Sequence, residues 1–295
     1  MRMLVVDAFA DRAFTGNPAG VCLLAEAADP AWMQRVAAEM RHAETAFVRP
    51  VDDPDAGWEL RWFTPRAEVA LCGHATLAAA HALRTTGTAP PGAPIRFRTL
   101  HSGVLTVDGD GAGDGDGDGA GDGGGDAGGG GDAGGGGARL SMDFPAAPPE
   151  PAEVPEGLAA ALGAEVRWAG RSAQNDVLAE VADEATVRGL APDVAALARI
   201  DARGVIATAR AEAGAGHDFV SRFFAPRLLP GDGEDPVTGS AHCTLGPFWG
   251  ERAGRDTLTG YQASARGGTV HVALRGDRVV LSGSAVTVLD GTFHA

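Results

Sequence analysis

Apolar and polar residues alternate along this chain in short runs, not in long helical stripes. Leu4 to Phe9, Val21 to Leu24, Ala46 to Val48, Trp58 to Phe63 and Ile95 to Arg98 are rich in β-branched and aromatic residues and predict strands. Ala31 to Met40 predicts a helix between them. The second half repeats the mixture. Val177 to Val181, Gly204 to Ala209, Phe219 to Phe224, Thr269 to Leu274 and Val279 to Leu289 read as extended, with helical stretches near Leu158, Val187 and Val194. Strands and helices alternate too irregularly for a doubly wound sheet or an eightfold barrel.

An internal echo organises these elements. Arg61-Trp62-Phe63-Thr64-Pro65-Arg66 returns as Arg222-Phe223-Phe224-Ala225-Pro226-Arg227. Each copy runs into a small-residue turn and then a helix: Leu71 to Thr76 before Leu77 to Leu83, and Val237 to His242 before Cys243 to Trp249. The same order twice in one chain predicts a duplicated domain. A length of 295 residues is enough for two cores.

Gly103 to Val107 and Arg139 to Phe144 predict a hairpin whose tip is lengthened by residues 108–137, a tract of only Gly, Asp and Ala. That tract has no side chain that could offset the entropy of ordering, so disorder is expected. Asp114 to Gly119 begins like a calcium loop, but Gly125 stands where the loop needs a glutamate. The prolines from Pro145 to Pro151 then suggest a boundary. The expected domains are 1–107 with 138–146, and 147–295.

The formal charge of −15 comes from 39 acidic and 24 basic residues, and eight of the acids lie in the Gly/Asp tract. A mildly acidic body without a Lys/Arg run argues against a nucleic-acid partner. No apolar run long enough to cross a membrane occurs, and an acid at Asp7 interrupts any signal-peptide core, so a cytoplasmic protein is expected. Cys22, Cys72 and Cys243 are odd in number and far apart, which fits free thiols.

The two predicted helix starts carry the candidate chemistry. Unpaired N–H groups and the helix dipole bind carboxylates without a basic side chain. If the halves face each other, Gly73-His74 and Gly239-Ser240 point into one cleft. Glu44, between a helix and an apolar strand, is a candidate acid/base whose pKa desolvation would raise. Asp235, before Pro236, either shapes a turn or holds His74 or a substrate group. The eight histidines show no metal-ligand spacing, and Ser240 and His242 diverge on a helix, so neither a metal site nor a serine hydrolase is indicated.

At these residues the chain resembles the PhzF-like family of phenazine-biosynthesis isomerases, which shares the diaminopimelate epimerase fold. The motifs are Phe14 to Gly20, Glu44-Thr45, Cys72 to Thr76, Gly233 to His242 and Gly260 to Gly268. The resemblance implies an α/β (α+β) fold of two pseudo-symmetric domains, each a curved, mostly antiparallel, barrel-like sheet around a central helix, usually in a homodimer. It implies catalytic Glu44, His74 and Asp235, with Cys72, Gly73, Gly239 and Ser240 binding a small carboxylate substrate, and no cofactor or metal. The alternatives are an amino-acid racemase or epimerase using Cys72 and Glu44, and a non-catalytic anion binder. Two departures stand out: Ala43 precedes the glutamate where the family often has Ser, and Gly239 is expected where the epimerase has its second cysteine.

Overall fold

The computed structural model describes residues 1–90, 92–109, 139–229 and 231–294. The Gly/Asp tract, apart from Asp108 and Gly109, lies outside the described residues, so the expectation of disorder there has no structural counterpart.

The first half runs β1 (Arg2–Ala8), β2 (Asn17–Leu23), α1 (Pro30–Met40), β3 (Glu44–Pro50), β4 (Trp58–Phe63), β5 (Glu68–Val69), α2 (Gly73–Thr85), β6 (Ile95–Arg98), β7 (Val104–Gly109) and β8 (Leu140–Pro145). The second half runs β9 (Glu150–Pro151), α3 (Leu158–Leu162), β10 (Trp168–Arg171), β11 (Val177–Glu180), α4 (Glu184–Gly189), α5 (Val194–Leu197), β12 (Val205–Arg210), β13 (Phe219–Phe224), β14 (Glu234–Asp235), α6 (Gly239–Ala253), β15 (Thr257–Gln262), β16 (Gly268–Arg275), β17 (Arg278–Gly283) and β18 (Ala285–Thr292).

The pairings repeat strand for strand. β1–β2 is antiparallel, β2–β3 parallel, β3–β4 and β4–β5 antiparallel, β4–β6 parallel, and β6–β7–β8 antiparallel. β10–β11, β11–β12, β12–β13, β13–β14, β13–β15 and β15–β16–β17 follow the same signs in the second half; β16–β17 is the counterpart of β7–β8. The echoed arginines keep the same partner. Arg61 Nε lies 2.7 Å from Glu68, and Arg222 Nε lies 2.7 Å from Glu234.

The halves are joined across their edges. β8 pairs with β17, and β18 returns to pair with β1. Val279 to Leu289 therefore is not one extended segment: Gly283 ends β17, and the chain crosses to the other half at Ser284.

Each half wraps its sheet around one helix, α2 or α6. Every residue of α2 from His74 to Leu83 is buried, and an apolar surface on all sides is what a central helix requires. Five alanines between Ala75 and Ala82 keep it thin enough to fit. Leu77 and Leu83, fully buried, each contribute about 2–3 kcal/mol by leaving water. In α6 the close approach is made by glycine: a Cβ on Gly250 would sit 2.4 Å from Leu274 Cδ1, and one on Gly246 2.7 Å from Val272 Cγ1. Both helices begin at the glycines themselves, so the small-residue turns already contain the first helical residues. Among the described residues no helix is long and apolar enough to cross a membrane.

Candidate active site

The site lies where α2 and α6 begin. Cys72 and Thr238 are the residues just before each helix; both are extended, and neither caps its helix with its side chain. This register corrects one expectation. The residue pseudo-equivalent to Cys72 is Thr238, not Gly239, because Gly73 and Gly239 are the matching first residues of the helices. Gly73 packs toward Phe144 of β8 and Gly239 toward Leu281 of β17, so both helix starts abut the β8–β17 seam between the halves.

Glu44 opens β3, beside Ala19 of β2 in the parallel register. Its Oε2 lies 3.4 Å from Nε2 of His74, and its side chain keeps 15% of its surface exposed. Burial, with Asp235 adding its negative field, pushes the Glu44 carboxyl up to about 7, against a hydrogen bond from Cys72 that lowers it. Such a group is half ionised at neutral pH, where acid/base exchange is most effective.

His74 is held neutral. Burial, with His42 nearby adding to it, lowers its pKa to about 3. The contact with Glu44 is therefore not an ion pair. Nδ1 lies 3.3 Å from Asn17 Nδ2, whose two hydrogens go to Asp235 and the Val237 carbonyl, and 3.5 Å from the Cys72 thiol. Among the described residues nothing meets Nε2 in hydrogen-bonding geometry, which leaves a buried, unpartnered ring nitrogen 3.4 Å from Glu44 Oε2. Burial, and then the charge of Glu44, raise the Cys72 thiol well above its ordinary value, so it stays protonated.

Asp235 belongs to the same site but does not reach His74 directly. Its Oδ1 accepts from Asn17 Nδ2 at 2.8 Å and its Oδ2 from the Thr238 hydroxyl at 2.5 Å. Burial pushes its carboxyl up to about 6, and these two hydrogen bonds oppose the rise. Gln262 fixes the same turn, accepting from Thr238 N at 2.9 Å and donating to Asp235 O at 2.7 Å.

Ser240, the second residue of α6, accepts from Arg203 Nη2 at 3.0 Å. The structure thus brings Glu44, Cys72, Gly73 and His74 to one helix start and Asp235, Gly239 and Ser240 to the other. Asn17, Thr238 and Gln262 were not singled out by sequence reasoning, although they lie inside the motifs. Arg203 and its partner Asp176 lie outside every motif and carry no local signal.

Glu44, Cys72 and His74 present ligand atoms all within 4.8 Å of one another, a metal-ligand grouping that sequence spacing does not reveal. A separate cavity of about 650 Å³ is lined by Pro148, Trp168, Pro247, Phe248, Glu251 and Arg252. Along it Arg252 stacks 3.7 Å over Phe248.

Comparison with known proteins gives one family. The phenazine biosynthesis-like protein family matches residues 6–291. The chain is 43% identical over 286 residues to an uncharacterized isomerase of Halalkalibacterium halodurans, covering 97% of this chain and 95% of that protein. It is 44% identical over 287 residues to an uncharacterized isomerase of Pseudomonas aeruginosa, covering 97% and 95%. A crystal structure of a PhzF-family phenazine biosynthesis protein from Enterococcus faecalis superposes with a TM-score of 0.83 at 35% identity, over 100% of this chain and 99% of that one.

Proposed function

The chain belongs to the phenazine biosynthesis-like family and is an isomerase, and from that premise we propose that it moves a proton between carbons of a small carboxylate substrate, with Glu44 as the single acid/base. The observation that carries this reading is the state of Glu44: its carboxyl is pushed up to about 7 and stands 3.4 Å from a neutral imidazole at the mouth of an uncapped helix.

The steps balance without an added reactant. Glu44 as carboxylate takes a proton from carbon; the C–H pair enters the conjugated system, and the Glu44 O–H forms. Negative charge then grows on the substrate. Preorganised N–H groups at the Gly73 and Gly239 helix starts stabilise it; losing one such donor typically costs about 2.7–4 kcal/mol of transition-state stabilisation. Glu44 returns the proton to another carbon on the same face, which shifts the double bond without a second base. Asp235, held by Asn17 and Thr238, keeps the second helix start in place.

The alternative, a two-base racemase or epimerase pairing Cys72 with Glu44, is disfavoured by a thiol held protonated and by Thr238 at the place pseudo-equivalent to Cys72. Proton NMR in D₂O tests the reading, first with trans-2,3-dihydro-3-hydroxyanthranilate and then with amino and hydroxy acids. Deuterium should enter carbon in the native protein and not in Glu44→Gln, whose affinity for the same compound stays within about tenfold. Exchange that persists in Glu44→Gln would remove Glu44 from the chemistry.

A further inference from the structure

The duplicated register sets the two sides of the cleft against each other. Thr45 pairs with Phe63 in the first half as Val205 pairs with Phe224 in the second. One residue earlier, Glu44 has Gly204 as its counterpart, and two earlier, Ala43 has Arg203. On the helices, His74 corresponds to Ser240, each being the second residue. So the first half presents an acid/base against His74, and the second presents a cation against Ser240.

Arg203 is fixed in place. Its Nε donates to Asp176 Oδ1 at 2.8 Å, and Nη2 reaches Asp176 Oδ2, Gln174 Oε1 at 3.1 Å and Ser240 Oγ at 3.0 Å. The Phe223 ring backs the guanidinium at 5.5 Å. Asp176 is fully buried, while the Arg203 side chain keeps 33% of its surface. Nη1, by contrast, meets no protein acceptor among the described residues, and neither does the Ser240 hydroxyl proton. A guanidinium held through Nε and Nη2, with Nη1 left beside a hydroxyl whose proton is also unengaged, offers two donors to a carboxylate from outside.

We propose that Arg203 is the substrate-orienting cation of this cleft: it binds the substrate carboxylate together with Ser240 and so decides which carbon faces Glu44. The inference rests on the proton-transfer reading for its consequence, but its binding step stands apart from turnover. Asp176 and Gln174 are positioning residues that hold the guanidinium toward the cleft.

The test is calorimetric titration of benzoate, cyclohexene-1-carboxylate and 2-aminobutanoate, each against its neutral carboxamide. It is run on the native protein, Glu44→Gln, Arg203→Lys, Arg203→Met, and Arg203→Met combined with Asp176→Asn. The double variant guards against misfolding, because Arg203→Met alone leaves a buried carboxylate without its partner. At least one carboxylate should bind about tenfold more tightly than its amide in the native protein and in Glu44→Gln. That preference should fall below about threefold in the double variant and survive in part in Arg203→Lys. An unchanged preference in the folded double variant, or no preference for any carboxylate in the native protein, overturns the proposal. Failure of the glutamate reading shows separately, as D₂O exchange that survives Glu44→Gln.

Discussion

Asn17 Nδ2 lies 2.8 Å from Asp235 Oδ1 and 2.8 Å from the Val237 carbonyl, so one amide from the first half holds the turn that begins the second helix. The same nitrogen is 3.3 Å from His74 Nδ1. A fully buried side chain therefore joins the two helix starts. Asn17→Ala removes one donor from a buried carboxylate and one from the Val237 carbonyl, and their loss should cost about 2–3 kcal/mol of stability. Because Asn17 acts through Asp235, Asn17→Ala and Asp235→Asn should couple by about 1–2 kcal/mol in denaturant melts of a double-mutant cycle. Strict additivity would show that the contact does not hold the halves together.

Glu44 and Asp235 interact, so they titrate as a pair with apparent values of about 7 and about 6. Proton abstraction needs Glu44 ionised. The rate of carbon deuteration should therefore rise with pH through an acidic limb between about 6 and 7 and level off above it. His74, neutral above about 3, adds no limb in this range. A rate that is flat from pH 5 to 9 would exclude a titrating carboxyl as the base.

Much of the fold was legible because the echoed arginines sit in equivalent strands and salt bridges, and local strand-forming runs marked β1, β4, β12 and β13. The long-range pairings were not. β10 is short, β10 and β15 each carry a glycine, and nothing local announces that β18 crosses back to β1. In the site, Glu44, His74 and Asp235 stood inside recognisable motifs. Arg203 did not, because its place beside Ser240 depends on the register of β12 against β13, a relation no short window of sequence contains. Of the roles open to Asp235, shaping the turn fits its bonds to Asn17 and Thr238, while Asn17 stands between it and His74; an amide that bridges by its side chain leaves no spacing signal.

The raised pKa of Glu44 also makes a stability prediction. Its folded value, about 7, lies above the unfolded value near 4.5. Between those values the native state holds a proton that the unfolded state has lost, so stability falls as pH rises from about 4.5 to 7. Above pH 7 the ionised, desolvated carboxylate destabilises the fold by an amount on the order of 3 kcal/mol. Glu44→Gln keeps the shape and removes the charge. It should raise the melting temperature at pH 8 and change it little at pH 4.5; equal effects at both would mean that the site does not desolvate Glu44.

Cys72 separates the two chemical readings most directly. A second base must be a thiolate, but burial and then the Glu44 carboxylate hold this thiol in its protonated form well above neutral pH. Its single S–H has two acceptors in reach, His74 Nδ1 at 3.5 Å and the Glu44 carboxylate, whose pKa it lowers. Cys72→Ala should therefore keep deuterium exchange within about tenfold of native, and iodoacetamide should inactivate the protein slowly at pH 7.5. The acidic limb should also move: without the thiol's hydrogen bond, which lowers the Glu44 carboxyl, its midpoint shifts to higher pH. A loss of three or more orders of magnitude in Cys72→Ala, with the limb unmoved, would instead assign the second proton transfer to the thiol and make the protein a two-base epimerase.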